Sequence, residues 1–456
     1  MNQPRAALPR TTAAGRAGKP AAPAAATVDT KKWVTLLLVF TALDYTRLPT
    51  LVPPLGILQV QALVGVALFY FWVKFGERED FRRLPLAPTF VMTFFSALSI
   101  IWANNWFYAF NSTLSFVYAL VFFALPATTL LVDRDAMRKF ARVFASCGVF
   151  VAIYAILHSG RGPGGFIGDE NDTGLFLNIT VAFAILCARD GTSSPFMRLL
   201  FWAGAITIIC GVVMTDSRGA FVGLLILFVA LWWSSRHRFR MALVGMAIMA
   251  VLPAIVIPML PEGYLDEMQT SMDPNDSTRV EREYFWGLAM DMYAANPVVG
   301  VGTDNYPWTV MEYEERLPPE ERAARASGGR AVHSMYMQLL SEQGSIGALM
   351  FLICLVFSLW KLNRLRKVDV RGDPNGKGYD AAAGGAIFAG ICTMCASGAF
   401  ISVLYSPTLW YLVAVGWALC KRVQREAASD AAKPPVAGDK TRRGIAARPR
   451  SGRSSS

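Results

Sequence analysis

Apolar runs of about 20 residues, separated by short polar turns, recur along almost the whole chain, and about 20 residues is what an α-helix needs to cross a bilayer. They fall at about 33–43, 55–75, 87–103, 114–132, 140–157, 173–187, 199–214, 220–233, 241–257, 333–361, 381–403 and 407–419. The runs are too long for barrel strands and too numerous for buried core helices. The pattern predicts an all-α integral membrane protein of about twelve transmembrane helices, with one long polar loop, 261–332, before the tenth. Its parts are a tail at 1–30, spans one to nine over 33–260, the loop with short amphipathic helices over 261–332, spans ten to twelve over 333–420, and a second tail over 421–456.

Composition agrees with the pattern: 54% of residues are hydrophobic and 17% charged, with mean hydropathy +0.37, whereas soluble domains carry about 25% charged residues. The net charge of +11 gathers in the tails and in turns such as 133–139, 234–240 and 361–367. Lys and Arg in short loops keep those loops cytoplasmic during insertion, so the charge reads orientation and gives no reason to expect nucleic acid. Both tails, rich in Ala, Pro and Arg without periodicity, are expected to be disordered and cytoplasmic. The stretches 158–172, 215–219 and 261–332 then share the other, periplasmic face. All seven cysteines lie in or beside apolar runs and read as small buried hydrophobes, the Cys392–Cys395 pair included.

Candidate chemistry clusters on that face. His333 stands where the long loop re-enters an apolar helix, and imidazole is the side chain whose ordinary pKa lies nearest working pH, which makes it a candidate base; the plain alternative is a helix-end anchor. Arg218 sits in the turn Thr215-Asp216-Ser217-Arg218-Gly219 between two apolar helices, where an arginine needs a cavity or an anion unless it snorkels to the interface. Arg279 and Arg282, three apart on an amphipathic helix, can present paired guanidiniums to a diphosphate or to lipid phosphates. Asp169, Glu170 and Asp172 read as a flexible turn with an N-cap at Asp172 rather than a metal site, and neither metal nor cofactor is expected. The charged stretch from Glu312 to Arg330 reads as a lid.

Four motifs in order resemble one family. They are Thr215-Asp216-Ser217-Arg218-Gly219-Ala220; Arg282 four residues before Trp286; Asn296-Pro297-Val298-Val299-Gly300-Val301-Gly302; and His333-Ser334-Met335-Tyr336 followed by Glu342-Gln343-Gly344-Ser345-Ile346-Gly347. Together they are similar to the O-antigen ligase and Wzy-type polymerase superfamily over about 200 to 357. The resemblance implies a GT-C-like membrane glycosyltransferase that moves a glycan from undecaprenyl diphosphate to an acceptor hydroxyl on lipid A core, a protein or a second glycan. It implies His333 as base and Arg218 and Arg282, with Arg279 competing, on the diphosphate, without a metal. Asp216, Ser217, Tyr336 and Asn305 are candidate substrate contacts. Ser334 departs from the Asn that many members carry after the His. Ligase is favoured slightly over polymerase; a transporter or flippase for an anionic lipid or glycan is the alternative from another class, and it would call for internal repeats and charged spans, whereas Glu342 is the main charge within a span here.

Overall fold

The computed structural model describes residues 30–78, 86–235, 277–316, 331–368 and 376–432, together with 238, 239, 243, 246 and 373. Among these the chain is helical: α1 Thr30–Thr46, α2 Leu48–Leu51, α3 Pro53–Ile57, α4 Val60–Phe75, α5 Leu86–Ser99, α6 Trp106–Leu130, α7 Arg134–Leu157, α8 Glu170–Ala188, α9 Pro195–Met214, α10 Arg218–Ser234, α11 Ser277–Ala295, α12 Tyr306–Glu314, α13 Met335–Leu365, α14 Lys377–Ser397 and α15 Pro407–Ala432. Six of them, α6, α7, α8, α9, α13 and α14, are long and apolar enough to cross a membrane, and α4, α5 and α10 are shorter apolar helices. The protein is a multi-pass helical membrane protein.

Burial separates the central rods from the peripheral ones. The most apolar window of α8 is 83% buried inside the protein and that of α13 only 33%. On α13 the side chains of Leu349, Leu352, Val356 and Trp360 are exposed at helical spacing, an apolar stripe that belongs against lipid. Because lipid is as apolar as leucine, the helices associate through close packing and interhelical hydrogen bonds. Gly148 backs onto Thr180 and Gly211 onto Ala152, and Asn178 Nδ2 donates to the Ala220 carbonyl at 2.6 Å. That last bond fixes α10 against α8 one turn from Arg218.

Ion pairs tie one end of the bundle. Arg134 meets Asp380 and Glu426 at 3.0 Å each, Asp190 meets Arg138 and Arg142 at 3.5 and 3.3 Å, and Glu77 meets Lys421 and Arg425. The candidate residues all gather at the opposite end. Several boundaries differ from those the hydropathy predicts. The charged turn 133–139 is the first two turns of α7, because the Asp133 side chain accepts from Ala136 N at 3.0 Å and caps the helix there. The stretch 104–111, expected as a loop, already holds the start of α6 from Trp106, capped by Asn105. The cap of α8 is Asp169, which accepts from Asp172 N at 2.8 Å, and not Asp172 itself. The last helix continues past 421 to Ala432. Most of the ninth expected span (241–257), residues 317–330 of the lid expected over 312–330, residues 1–29 of the first tail and the end of the second lie outside the described residues, while Glu312–Glu314 belong to α12.

Candidate functional site

Two helices start at the same turn. Ser217 caps α10 by accepting from Ala220 N at 3.1 Å, and Ser334 caps α13 by accepting from Met337 N at 3.5 Å. The residues after α14 hold both starts: Ser397 Oγ donates to the Gly219 carbonyl at 3.3 Å, while Met335 N donates to the Gly398 carbonyl at 2.7 Å. Arg218, the first residue of α10, and His333, just before the cap of α13, are thereby brought to one place from 115 positions apart. Both are half-buried. A helix N-terminus favours an anion, and the Arg218 guanidinium placed there adds a positive charge beside it.

The third contributor arrives through α11. Its inner face, Phe285, Leu288, Ala289 and Met292, packs with Val301, Tyr306, Val310, Tyr313 and Val332 into a small core separate from that of the bundle. Trp286 Nε1 donates to the Val332 carbonyl at 3.2 Å, which joins α11 to the residue before His333. Arg282 lies one turn earlier at i−4, on the same helix face as Trp286, and is half-buried. Arg279 is exposed and pairs with Glu283 at 2.9 Å. The structure thus places Arg282 on the face that leads to His333 and Arg279 beside a carboxylate.

The other two motifs hold this unit on the bundle. α13 breaks at Gly344, with φ 60° and ψ −162°, a backbone that only glycine adopts readily. The break exposes main-chain groups, and 297–302 runs alongside to meet them: Val301 N donates to Ser341 O at 2.8 Å, Gly302 N to Glu342 O at 3.0 Å and Ser345 N to Pro297 O at 2.9 Å. Buried Glu342 accepts from Asp304 N at 3.0 Å, Tyr306 N at 3.1 Å and the Tyr405 hydroxyl at 2.8 Å. Gln343 Nε2 reaches Thr303, Ser96 and Tyr405. Glu342, a charge within an expected span, is therefore a clamp on the docked turn.

The remaining expected contacts divide. Ser217 donates to Asn171 Oδ1 at 2.7 Å, joining the start of α8, just after the Gly-rich loop 158–168, to the Arg218 turn. Asp216 is exposed, in the left-handed region with φ 53°. Tyr336 donates to the Cys395 carbonyl at 2.7 Å and ties α13 to α14. Asn305 is fully buried; it accepts from Asn105 N at 2.7 Å and donates to Thr303 O at 2.8 Å, which is the work of a positioning group. His333 itself has φ 49°, uncommon for a residue with a Cβ. It is held there between the anchored Val332 and the capping Ser334.

Beside this junction opens a cavity of about 600 Å³, lined by residues that no motif marks. Arg47, also left-handed at φ 52°, lies over the Phe166 ring at 5.3 Å and 3.5 Å from Asp44. Asp44 is buried and accepts from Gln61 at 2.6 Å and from Tyr411 at 2.9 Å. Asp172 and Gln338 close the side toward Ser217 and α13. The sequence signal was the pair Asp44 and Arg47 at the end of the first apolar run, which also fits an interfacial anchor. Among the described residues no three His, Cys, Asp or Glu gather as metal ligands.

Residues 203–352 match the family model described as O-Antigen ligase, a segment that contains Arg218, Arg282 and His333. No curated protein matches the chain. The similarity to the O-antigen ligase and Wzy-type superfamily read from the four motifs is thus shown over this segment, within a chain whose described residues form a helical membrane fold.

Proposed function

We propose, on the premise that 203–352 is an O-antigen ligase domain, that the protein transfers a glycan from undecaprenyl diphosphate to an acceptor hydroxyl at the end of the bundle that holds His333. In a bacterial inner membrane this end faces the periplasm and both chain termini face the cytoplasm. In the reaction the acceptor oxygen bonds to the anomeric carbon, the bond from that carbon to the phosphate oxygen breaks, and undecaprenyl diphosphate departs with the electron pair. The acceptor proton passes to His333. Arg218 and Arg282 hold the diphosphate, supported by the amides at the start of α10, and so neutralise the charge that grows on the leaving group.

The single observation that carries this reading is the meeting of the α10 and α13 starts at Ser397 and Gly398, with α11 joined next to His333 through Trp286. It draws His333, Arg218 and the helix of Arg282 toward one end of the bundle from three separate segments. Arg279 takes no part in the reading, since it is exposed and paired with Glu283.

Purified protein in detergent, given a glycan-loaded undecaprenyl diphosphate and a panel of lipid A core, protein and carrier-linked acceptors, tests it. Release of undecaprenyl diphosphate coupled to growth of one acceptor supports the proposal, and that acceptor separates ligase from polymerase. Movement of the intact lipid-linked glycan across a vesicle bilayer with no bond broken would replace it with transport.

A further inference from the structure

The cavity that Asp172 and Gln338 close has none of Arg218, Arg282 and His333 in its wall, and its lining does not favour a diphosphate. Three carboxylates, Asp44, Asp172 and Asp304, face it against a single arginine, Arg47. That arginine is already engaged by Asp44 and by the Phe166 face. An anionic group would find there only a cation that Asp44 already engages. A neutral ligand rich in hydroxyls would not, because each hydroxyl both donates and accepts.

Two further features point to such a ligand. Arg47 Nε and Ser402 Oγ are buried polar atoms of the lining with no hydrogen-bond partner among the described residues, and a buried polar atom left unpaired is costly. Aromatic side chains, Phe166, Tyr118 and Tyr405 among them, line the same space and offer surface for the carbon-bound hydrogens of a pyranose ring. Its volume of about 600 Å³ falls within the usual range for small-ligand sites, roughly 300–1,000 Å³.

We infer that this cavity is a saccharide subsite, binding a neutral sugar unit of one of the two glycans next to the reacting centre. The inference rests on the transfer reaction proposed above. Its placement supplies the geometry: Asp172 follows Asn171, which holds Ser217 beside Arg218, and Gln338 lies on α13 just beyond His333, accepting from Leu404 N at 3.3 Å. A sugar seated between them lies within reach of the same junction. Most of the lining comes from α1, α6, the Gly-rich loop and the segment before α15, outside residues 203–352. Sugar selection then belongs to parts of the chain that the shared domain does not cover.

The test uses the full-length protein in detergent and a probe without phosphate: oligosaccharides released by mild acid from the surface polysaccharide of the source cell. Binding is read by saturation-transfer NMR for wild type, His333→Ala and Ser115→Trp. Ser115 lines the cavity on an exposed face of α6, so a bulky ring there fills the space without entering the packed core; Ser406→Leu is the second filling variant. The inference predicts equal signal in wild type and His333→Ala and at least a tenfold loss in both filling variants. It also predicts weaker binding of the corresponding sugar phosphates, and a raised KM in Ser115→Trp for donor or acceptor alone, which names the glycan that sits there. Equal binding in the filled variants, or tighter binding of sugar phosphates, overturns it. Sugar binding without any glycan transfer would instead overturn the proposed reaction and leave the subsite standing.

Discussion

Trp286 donates its indole N–H to the carbonyl of Val332 at 3.2 Å, so the helix that carries Arg282 is bonded to the residue that precedes His333. The bond acts on geometry, not on chemistry. Replacing Trp286 by Phe keeps much of the ring and removes the donor. A neutral hydrogen bond contributes about 1 kcal/mol, and in the proposed reaction its loss lets Arg282 drift from the leaving group, so kcat/KM is expected to fall about fivefold with the fold intact. Steady-state kinetics of Trp286→Phe against wild type, with thermal unfolding as a control, measure this.

Glu342 is the strongest test of the clamp. Its carboxylate accepts from two main-chain amides and the Tyr405 hydroxyl, and Glu342→Ala leaves all three donors buried without that partner. At roughly 1–3 kcal/mol for each such group, the variant is expected to show a much lower unfolding midpoint in detergent and little activity. Tyr405→Phe removes one of the three bonds and should show a fraction of that loss.

Gly344 carries the break in α13 at positive φ, and the Val298 carbonyl lies against the position that a Cβ would take. Gly344→Ala therefore costs roughly 1–3 kcal/mol from backbone strain alone and pushes the 297–302 segment off the helix. Limited proteolysis in the 296–306 turn should speed up in the variant and stay slow in Gly287→Ala on α11, where an added Cβ meets nothing within 4 Å.

Asp304 gives the account a pH dependence. Burial pushes its carboxyl above the ordinary carboxylate range, against the pull of the hydrogen bond from Ser112. A carboxyl whose folded pKa is raised contributes stability fully below its unfolded pKa and loses it as pH rises through the folded value. Asp304→Asn keeps an acceptor for Ser112 and suits the left-handed backbone at φ 53°. Wild type should therefore lose stability relative to this variant as pH climbs from the acid side to neutrality, and match it in acid, which unfolding midpoints across that range will read.

The long apolar helices were legible because a bilayer asks about 20 apolar residues of each span. Their ends were less so: Asp133 and Asn105 carry a capping oxygen that turns charged or polar stretches such as 133–139 into helix, a local bond that hydropathy does not weigh. Arg218, Arg282 and His333 could be picked out because each is a polar group where an apolar run begins or an amphipathic helix turns. The bond from Trp286 to Val332, which the sequence does not show, is what favours Arg282 over Arg279 as the candidate. The cavity around Arg47 stayed hidden because its walls come from segments hundreds of residues apart, and each wall residue alone resembles an ordinary interfacial side chain. Asn305, read as a substrate contact, is explained by the buried loop pairing with Asn105.

The most direct measurement is the rate of undecaprenyl diphosphate release by His333→Ala, alongside donor binding by the same protein. Removing a general base typically lowers a rate by about 10²–10⁴-fold, so release should fall that far while donor affinity, held by Arg218 and Arg282, stays near that of wild type. Arg282→Ala should weaken donor binding, and Arg279→Ala should leave it unchanged. Release by His333→Ala at the wild-type rate would contradict the assignment of His333 as base and leave it an anchor between Val332 and Ser334.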